Sequence, residues 1–312
     1  MDVSVIIVNW NSRDILRNCL RSVYKDFGRL SLEVLVVDNA SSDGSVELVH
    51  EEFPQVGLIC NDENLGFSSA NNQAIRNSNG RYILLLNNDA YLLEDALEKM
   101  VRFMDSHPQA AALGPKLLNE DGSTQPSTNN FPALGAMALN KLIGKSPLAT
   151  RLMGEFSMQH WGYGHTRQVD MVTGACMMIR REALEEVGLF DENIFMYHEE
   201  TDLCYRMKKA GWKVYFYPDA KCVHLLVKGR ERSNYYPRQF VHCQTQLYFY
   251  RKHYSKVKVE FYKLVRRIVI ALEIMVVSLT GRGDEKEKKL TWLGKMWGLY
   301  KGRSLNLSGA VK

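Results

Sequence analysis

The sequence predicts an α/β fold, with a mostly parallel central sheet flanked by helices and a helical C-terminal extension. Short apolar runs alternate with helical patterns through the first hundred residues. The connections between these segments are short, as in consecutive βα units. Polar residues cluster directly after the apolar runs, where parallel sheets hold their ligands. These three observations together indicate the fold class.

The individual elements of this sheet follow from hydrophobic periodicity. Continuous apolar runs are typical of strands buried on both faces, and they occur at VSVIIV (3–8), EVLVVD (33–38), VGLIC (56–60) and YILLLN (82–87). Helical spacing of apolar residues fills the intervals, at 12–24, 43–53 and 66–78. Three βα units in a row therefore favour a parallel sheet covered by helices.

The second half of the chain is less regular. Residues 119–168 are rich in Gly, Pro, Ser, Thr and Asn and predict a loop, a short hairpin and one helix around 134–143. A buried strand running into a helix is expected at 169–184, and a second helix at 199–210 with Gly211 as its stop. The later segments predict two short strands, KVYFYP and AKCVHLLV, then helices at 236–254, 257–281 and 288–300, with DEKEKK (284–289) as a charged linker.

Composition disfavours a secreted, disulfide-bonded protein and a membrane-spanning protein. Of the 312 residues, 46% are hydrophobic and 24% charged, an ordinary globular balance. Six widely spaced cysteines without a CxxC pair indicate free, mostly buried thiols in a reducing compartment. The first residues lack the basic region of a signal peptide, and no run of 18 uninterrupted apolar residues indicates a membrane span.

The net charge of +5 is unevenly placed along the chain. Residues 251–312 contain 15 Lys and Arg against 5 Asp and Glu, so the remaining body is slightly acidic. A basic tail on such a body indicates an anionic surface as its partner. No nucleic-acid partner is expected.

Polar residues after the first two strands are candidate nucleotide ligands. Asn9 follows the first strand, and Asp38 follows the second in VVDNASSDGS (36–45). A carboxylate in this position can accept the N3–H of a pyrimidine, and the small residues after it allow a close approach. The alternative is an Asx turn that caps the next helix.

Two further motifs lie at the same predicted edge. In NDENLGFSSANNQAI (61–75), Gly66 allows a tight turn into a helix, while Asn64 and Asn71 can bind sugar or phosphate; the alternative is a helix N-terminus with surface asparagines. In LLLNNDAY (84–91), Asp89 can present a carboxylate to Mg²⁺ or Mn²⁺, which prefers oxygen ligands; the alternative is an Asn/Asp turn.

Three acids cluster in MYHEETDLCYR (196–206), namely Glu199, Glu200 and Asp202. Asp occupies the position where a zinc-protease helix needs its second histidine, so HExxH is excluded. The acids either stabilise the first turn of a helix, with Asp202 paired to Arg206, or act as a catalytic base. His224, in an apolar strand of YPDAKCVHLL (217–226), is either a core histidine or a ligand.

The order of these motifs resembles family 2 glycosyltransferases of the GT-A fold, especially the bacterial rhamnosyltransferases of surface polysaccharide and O-antigen synthesis. The resemblance covers about residues 1–255 and rests on VSVIIVNWNS, VVDNASSDGS, NLGFSSANNQAI, LLLNNDA, VTGACMMIRREA, GLFDENIFMYHEETDLCYRMKKAGW and YPDAKCVH. It implies a GT-A catalytic domain at 1–255, with a nucleotide-sugar half at 1–118 and an acceptor half at 119–255. Residues 256–312 form the basic helical extension.

The resemblance also implies roles for individual residues. Asp38 corresponds to the acid that holds the nucleotide base. The Asp-x-Asp metal motif falls on 87–89, where only Asp89 is an acid and Asn87 can ligate through its carbonyl. Glu200 corresponds to the general base, and Glu199 and Asp202 position it or the acceptor. His224 corresponds to a histidine near the metal and the diphosphate.

The expected function is inverting transfer of a sugar, such as rhamnose from dTDP-rhamnose, from a dTDP- or UDP-sugar to a glycan or lipid-linked acceptor. The segment KLVRRIVIALEIMVVSLTG (263–281) suits an amphipathic helix on the inner face of the cytoplasmic membrane; the alternative is packing on the catalytic domain or on a second subunit of a homo-oligomer. The competing classes are a sugar nucleotidyltransferase, disfavoured because VNWNSRD lacks a Gly-rich loop, and a noncatalytic glycan-binding protein.

Overall fold

The computed structural model describes residues 1–26, 28–132, 158, 161–225 and 235–302. The helix expected around 134–143 lies outside these residues. The chain forms two compact units, one of residues 1–131 and 157–227 and one of residues 132–156 and 228–312. The sequence placed its domain boundary at 255, and that division stays a prediction.

The first unit is built on a ten-stranded sheet. Its first half is β1 (Val3–Asn9), α1 (Arg13–Asp26), β2 (Leu32–Asn39), α2 (Ser45–Glu52), β3 (Gly57–Asn61), α3 (Gly66–Arg76), β4 (Tyr82–Leu86), β5 (Ala90–Leu93), α4 (Ala96–Ser106) and β6 (Ala110–Leu118). Its second half is β7 (Thr124–Gln125), β8 (Thr128–Asn129), β9 (Arg167–Val169), β10 (Met171–Val172), β11 (Cys176–Arg180), α5 (Arg181–Val187), α6 (Glu199–Lys209) and β12 (Lys213–His224).

Strand order explains how distant residues meet at one edge. The main path is β3-β2-β1-β4-β11-β6-β12-β5, with β7 paired to β6 and β9 to β12, while β8 and β10 form a separate pair. Strands β1 to β4 are mutually parallel, and Asn9 lies opposite Asp38. Strand β12 runs antiparallel to β5, so His224 lies opposite Ala90, next to Asp89. The mostly parallel sheet of the sequence prediction is confirmed.

Both faces of the sheet are covered by helices, because alternate strand residues point to opposite sides. Val5 and Ile7 of β1 pack in one buried cluster with Leu16 of α1 and Met100 of α4. Ile6, between them, belongs to the opposite cluster, which also contains residues of α3, α5 and α6. The strands are therefore apolar on both sides, as their continuous apolar sequences require.

The second unit is helical over its described residues, with α7 (Tyr235–His253), α8 (Lys256–Thr280) and α9 (Gly283–Lys301). Aromatic rings join the three helices, since Tyr262 of α8 lies 5.0 Å from the ring of Tyr250 and 5.9 Å from that of Tyr300. Among the described residues, no helix has both the length and the apolarity needed to cross a membrane.

Three local expectations are corrected by the structure. The segment 284–289 is not a linker but the start of α9, where Asp284 and Glu285 suit the positive end of the helix dipole. The two strands expected between 213 and 226 form the single strand β12, whose register shifts between Tyr217 and Lys221 and so accommodates Pro218. The strand expected from 169 is divided by Thr173 and Gly174 into β10 and β11.

The cysteine prediction is confirmed in part. All six thiols are free. Four are buried, whereas Cys60 is exposed and Cys243 is half-buried. The expected short hairpin is present as β6 and β7, joined through the turn at 119–123.

We expect Gly80→Ala to destabilise the first unit, because β4 approaches β1 closely at this glycine. An added Cβ would lie 2.4 Å from the backbone nitrogen of Ser4 and 2.8 Å from the carbonyl oxygen of Tyr82. The cost should be about 1–3 kcal/mol, read from urea unfolding followed by circular dichroism. Gly164→Ala is the control, since no atom lies within 4 Å of its added Cβ. Equal stability of the two variants would contradict this account of the β1–β4 contact.

Candidate active site

Asn9 joins the ends of three parallel strands. Its side chain is fully buried, and its Nδ2 donates to Asp38 Oδ1 at 3.0 Å and to Ser41 Oγ at 3.3 Å. Its Oδ1 accepts from Asn88 Nδ2 at 2.9 Å, beyond the end of β4. The second carboxylate oxygen of Asp38 accepts the backbone N–H of Ser41 at 2.8 Å. A carboxylate has about four acceptor positions, so Asp38 keeps capacity for another donor.

A second amide network continues along the same edge. Asn61 Nδ2 donates to Asn39 Oδ1 at 2.9 Å, and Asn39 Nδ2 reaches Asn64 Oδ1 at 3.3 Å. Asn64 Oδ1 also accepts the backbone N–H of Gly66 at 3.0 Å, so Asn64 fixes the turn into α3. Asn64 could be predicted from the sequence, whereas Asn39 could not, because its partner Asn61 lies on the neighbouring strand β3.

The start of α3 packs tightly against the loop before α6. Gly66 has φ +79°, and an added Cβ would lie 2.6 Å from the carbonyl oxygen of Phe195. Phe67 N donates to that same oxygen at 2.9 Å. This contact places the beginning of α6, four residues beyond Phe195, at the carboxyl edge of the sheet. The glycine is therefore needed for a close approach within the chain itself.

The two asparagines inside α3 have partners in the chain. Asn71 is 1% exposed, and its Nδ2 donates to the carbonyl of Phe67 at 2.8 Å. Asn72 donates to the carbonyl of Phe190 at 2.9 Å and accepts from its N–H at 3.0 Å. These bonds offset the helix-propensity cost of consecutive asparagines. A ligand role for Asn71 stays a prediction, and its amide nitrogen already has an intrahelical partner.

Asp89 and His224 form the candidate metal site. His224 Nε2 lies 3.3 Å from Asp89 Oδ1 and 3.4 Å from Asn87 Nδ2. Among the described residues, no group of three or more His, Cys, Asp and Glu side chains is placed to hold a metal. Two ligands at right angles on an octahedral Mg²⁺ would be about 3 Å apart, so the pair fits a cation whose other ligands are phosphate oxygens and water.

Glu199 and Glu200 are unlike the other acids at this edge. Among the described residues, neither Glu199 Oε2 nor Glu200 Oε2 has a hydrogen-bond partner, although both atoms are buried. Burial raises the pKa of Glu200 to about 7, against opposing backbone hydrogen bonds. Burial first, and then the charge of Glu200, raise the pKa of Glu199 well above its usual range. Burial therefore favours the neutral form of Glu199, and Glu200 gains its charge near neutral pH.

Asp202 is held differently. It is fully buried, and Arg206 Nε donates to its Oδ2 at 2.8 Å, which confirms the predicted i,i+4 pair. The same guanidinium donates to the carbonyls of Gly188 at 2.9 Å and Leu189 at 2.7 Å. Asp202 thereby fixes Arg206, and Arg206 fixes the loop that leads toward the acids. This geometry suits a positioning role better than proton transfer.

The backbone immediately before α6 is strained. Tyr197 has φ +67° and His198 φ +68°, in the left-handed region that favours glycine. Two such residues in succession cost about 1–3 kcal/mol each and persist where the surrounding structure enforces them. Here the enforced turn aims the first residues of α6, Glu199 and Glu200.

The chain is similar to several known proteins. The family model for glycosyl transferase family 2 matches residues 4–188. An N-acetylglucosaminyl-diphospho-decaprenol L-rhamnosyltransferase of Mycobacterium tuberculosis is 29% identical over 208 residues, which cover 62% of this chain and 66% of that protein. The dTDP-rhamnosyl transferase RfbF of Shigella flexneri is 26% identical over 229 residues, covering 72% and 69%.

A solved structure shares the fold. The mannosyltransferase PcManGT from Pyrobaculum calidifontis, in complex with GDP-Man and Mn²⁺, superposes with a TM-score of 0.59 at 18% identity, covering 95% of this chain and 85% of that one. The fold, the ordered motifs and a family model that matches more than half of the chain agree. The protein belongs to glycosyl transferase family 2.

Proposed function

We propose that the protein is an inverting glycosyltransferase that transfers rhamnose from dTDP-rhamnose to a lipid-linked glycan acceptor in the synthesis of a cell-surface polysaccharide. The observation that carries this proposal is the placement of Asp38 at the end of β2 and Asp89 just beyond β4, both at the carboxyl edge of a family 2 fold, with Glu200 in the first turn of α6, whose preceding loop contacts the start of α3. Two rhamnosyltransferases among its relatives support the choice of sugar.

Asp38 binds the base of the donor nucleotide in this proposal. Its Oδ1 already accepts from Asn9 and its Oδ2 from Ser41, so the carboxylate is held in one orientation at the strand end. A thymine or uracil offers N3–H as a donor to the remaining acceptor positions. Asn64 and Gly66 form the turn into α3 at the same edge of the sheet. Asn87 lies next to His224 of the candidate metal site.

Asp89 and His224 would hold Mg²⁺ or Mn²⁺ together with oxygens of the diphosphate. A divalent cation bound there neutralises negative charge that develops on the leaving dTDP. A site with only two protein ligands depends on the nucleotide to complete it. Metal and nucleotide should therefore bind cooperatively.

Glu200 takes the proton of the acceptor hydroxyl during in-line attack. Its raised pKa keeps it basic enough for that transfer, and its partnerless oxygen is available to an acceptor O–H. Glu199, whose raised pKa favours the neutral acid, can donate a hydrogen bond to the acceptor. Asp202, paired to Arg206, maintains the helix that carries both residues.

The helical unit carries a surface suited to a membrane. Helix α8 packs one face inside the helical unit, through Val259, Tyr262, Val265 and Val269, yet its opposite face is also apolar. That exposed stripe consists of Val257, Phe261, Leu264, Ile268, Leu272, Met275, Val276 and Leu279. A soluble surface helix normally carries polar residues there.

The basic surplus of residues 251–312 favours anionic lipid as the partner of this region. We therefore assign the stripe to the inner face of the cytoplasmic membrane, with the enzyme on the cytoplasmic side. A second copy of the chain is the competing occupant.

The donor should be identified by its effect on thermal stability. A ligand at 100 times its Kd stabilises the folded state by about 2.7 kcal/mol, so the true donor raises Tm measurably. We expect dTDP-rhamnose with Mn²⁺ or Mg²⁺ to raise Tm more than UDP- or GDP-sugars, and more than dTDP-rhamnose with EDTA. A larger shift with another nucleotide would reassign the donor. Accumulation of nucleotide sugar from a sugar phosphate and dTTP would instead indicate a nucleotidyltransferase.

The variants Glu200→Gln and Glu199→Gln separate the base from its neighbour. Glu200→Gln removes the proton acceptor and should lower kcat about 10²–10⁴-fold while dTDP-rhamnose binding persists. Glu199→Gln is the matched control, because it makes the same isosteric change at the neighbouring acid, whose raised pKa favours the neutral form, and it should keep kcat within about tenfold of wild type. Transfer is measured as release of dTDP. The reverse ranking would move the base to Glu199.

The pH dependence of transfer gives a second readout. Glu200 must be charged to act as a base, so kcat should rise with pH through about 7, the raised pKa of its carboxyl. The same raised pKa stabilises the folded state below the ordinary pKa of a glutamate, and this stabilisation is lost as pH rises through about 7. A rate that is flat between pH 5 and 8 would contradict the assignment.

Membrane contact is tested by Phe261→Asp/Ile268→Asp in the full chain. Two charges in the stripe should abolish sedimentation with vesicles that contain phosphatidylglycerol, since burying a charge in the apolar interface is unfavourable. The matched control, Phe261→Leu/Ile268→Val, keeps the face apolar and should still bind. Neutral phosphatidylcholine vesicles should bind wild type more weakly. A dimer that dissociates in the Asp variant, without vesicle binding by wild type, would assign the face to a second copy.

A further inference from the structure

His224 has a specific partner on its other ring nitrogen. Nδ1 lies 2.7 Å from Oε1 of Gln125, which is on β7, 99 residues earlier in the chain. Gln125 is 8% exposed, and the His224 side chain is 15% exposed, so water competes little for this bond. Whether Nδ1 donates or accepts depends on which way the glutamine amide faces, and the neighbouring hydrogen bonds decide that.

Hydrogen bonds in the turn between β6 and β7 fix the direction in which the Gln125 side-chain amide faces. Ser123 Oγ must donate to Asp121, because an ionised carboxylate only accepts. The Ser123 oxygen then accepts Asn119 Nδ2 at 2.9 Å. This leaves Asn119 Oδ1 to accept Gln125 Nε2 at 3.0 Å. The amide nitrogen of Gln125 therefore points toward the turn.

A second contact fixes the same direction independently. Gln125 Nε2 also lies 3.3 Å from the backbone carbonyl of His224, an atom that can only accept. A reversed amide would place two acceptors against each other both there and at Asn119. Gln125 Oε1 consequently faces the imidazole and accepts a hydrogen bond from Nδ1–H.

The proton on Nδ1 determines what the other ring nitrogen can do. In the neutral ring, Nε2 then carries a lone pair, and it faces Asp89 Oδ1 at 3.3 Å. The neighbouring Asn87 Nδ2, at 3.4 Å, is a donor and is compatible with that lone pair. A nitrogen lone pair and a carboxylate oxygen repel each other unless a cation lies between them. The positions of His224 Nε2 and Asp89 Oδ1 therefore suit a cation bound between them.

We propose that Gln125 is a positioning residue, which holds His224 in the Nδ1–H tautomer so that Nε2 is presented to the divalent cation beside Asp89. This proposal rests on the metal-assisted transfer proposed above and adds a residue outside the ordered motifs. The β6–β7 hairpin acquires a functional role, because its turn at 119–123 orients the amide that orients the histidine. Metal ligands are commonly fixed in this way through their second nitrogen.

The tautomer is tested directly in the metal-free protein. With ¹⁵N-labelled histidine, long-range ¹H–¹⁵N spectra distinguish a protonated Nδ1 from a protonated Nε2, and His224→Asn assigns the signals. We expect wild-type His224 to show the Nδ1–H tautomer when the ring is neutral. An Nε2–H tautomer in wild type would overturn the proposal without recourse to any Gln125 variant.

Mn²⁺ affinity is the second readout, measured by electron paramagnetic resonance with Mn²⁺ alone and with dTDP. Gln125→Met removes the acceptor at nearly constant volume and should weaken Mn²⁺ binding about 10–100-fold, with loss of the single tautomer. Gln125→Glu keeps an oxygen acceptor for Nδ1–H but sets its second carboxylate oxygen against the His224 carbonyl, so it should weaken Mn²⁺ binding less than Gln125→Met does. Gln109→Met, at an exposed position, controls for the substitution itself.

The outcomes distinguish a failure of the role proposed for Gln125 from a failure of the proposed metal-assisted transfer. Wild-type Mn²⁺ affinity in Gln125→Met, with wild-type protein that binds Mn²⁺ and dTDP, would overturn only the role of Gln125. Failure of wild type to bind Mn²⁺ even with dTDP would overturn the metal-assisted transfer as well. Equal weakening in Gln125→Met and Gln125→Glu would show that the hairpin matters for its packing and not for its acceptor.

Discussion

Buried polar groups at the carboxyl edge of the sheet must find hydrogen-bond partners, because each one left unsatisfied costs about 1–3 kcal/mol. This constraint explains why the edge is rich in asparagine. An amide has both a donor and an acceptor, so Asn9 can bind Asp38 through its nitrogen and Asn88 through its oxygen. The strand ends are thereby fixed relative to one another, and the carboxylates offered to a ligand hardly need to rearrange.

The acids that depart from this rule are Glu199 and Glu200. Each has a buried oxygen without a partner among the described residues, in contrast to Asp202, which is neutralised by Arg206. One helix thus carries a satisfied carboxylate that stabilises its own surroundings and two unsatisfied ones whose pKa values are raised by burial. In the proposed mechanism, the acid with a partner, Asp202, stabilises the helix, and an acid without one, Glu200, accepts the proton.

Much of the fold could be predicted from the sequence, because its strands are buried on both faces and their apolar runs are continuous. Strands β1 to β4 and their helices begin and end close to the predicted residues. No local pattern predicted β5, α4 or β6, and residues 284–289, predicted as a linker, are helical. Short strands and charged helical turns depend on their neighbours in space, which a local pattern does not contain.

The candidate site divides in the same way. Residues that directly follow apolar strands, such as Asp38 and Asp89, could be named from their positions. Gln125 could not, since a glutamine in a Ser- and Thr-rich segment has no periodic signal and meets His224 only through the pairing of β6, β7 and β12. Likewise, Asn72 bonds to the backbone of Phe190, a residue far along the chain that the sequence alone does not place nearby.

The sequence by itself determined where the candidate functional acids lie relative to the predicted elements. One acid comes at the end of the second strand, one comes after the fourth, and a group of acids begins a helix. Local patterns suffice for this, because hydrophobic period and turn residues act over a few positions. Only the tertiary structure decided which of these groups are charged, paired or oriented. Burial, strand pairing and hydrogen-bond direction depend on residues far apart in sequence, and they separate Glu200 from Asp202 and set the tautomer proposed for His224.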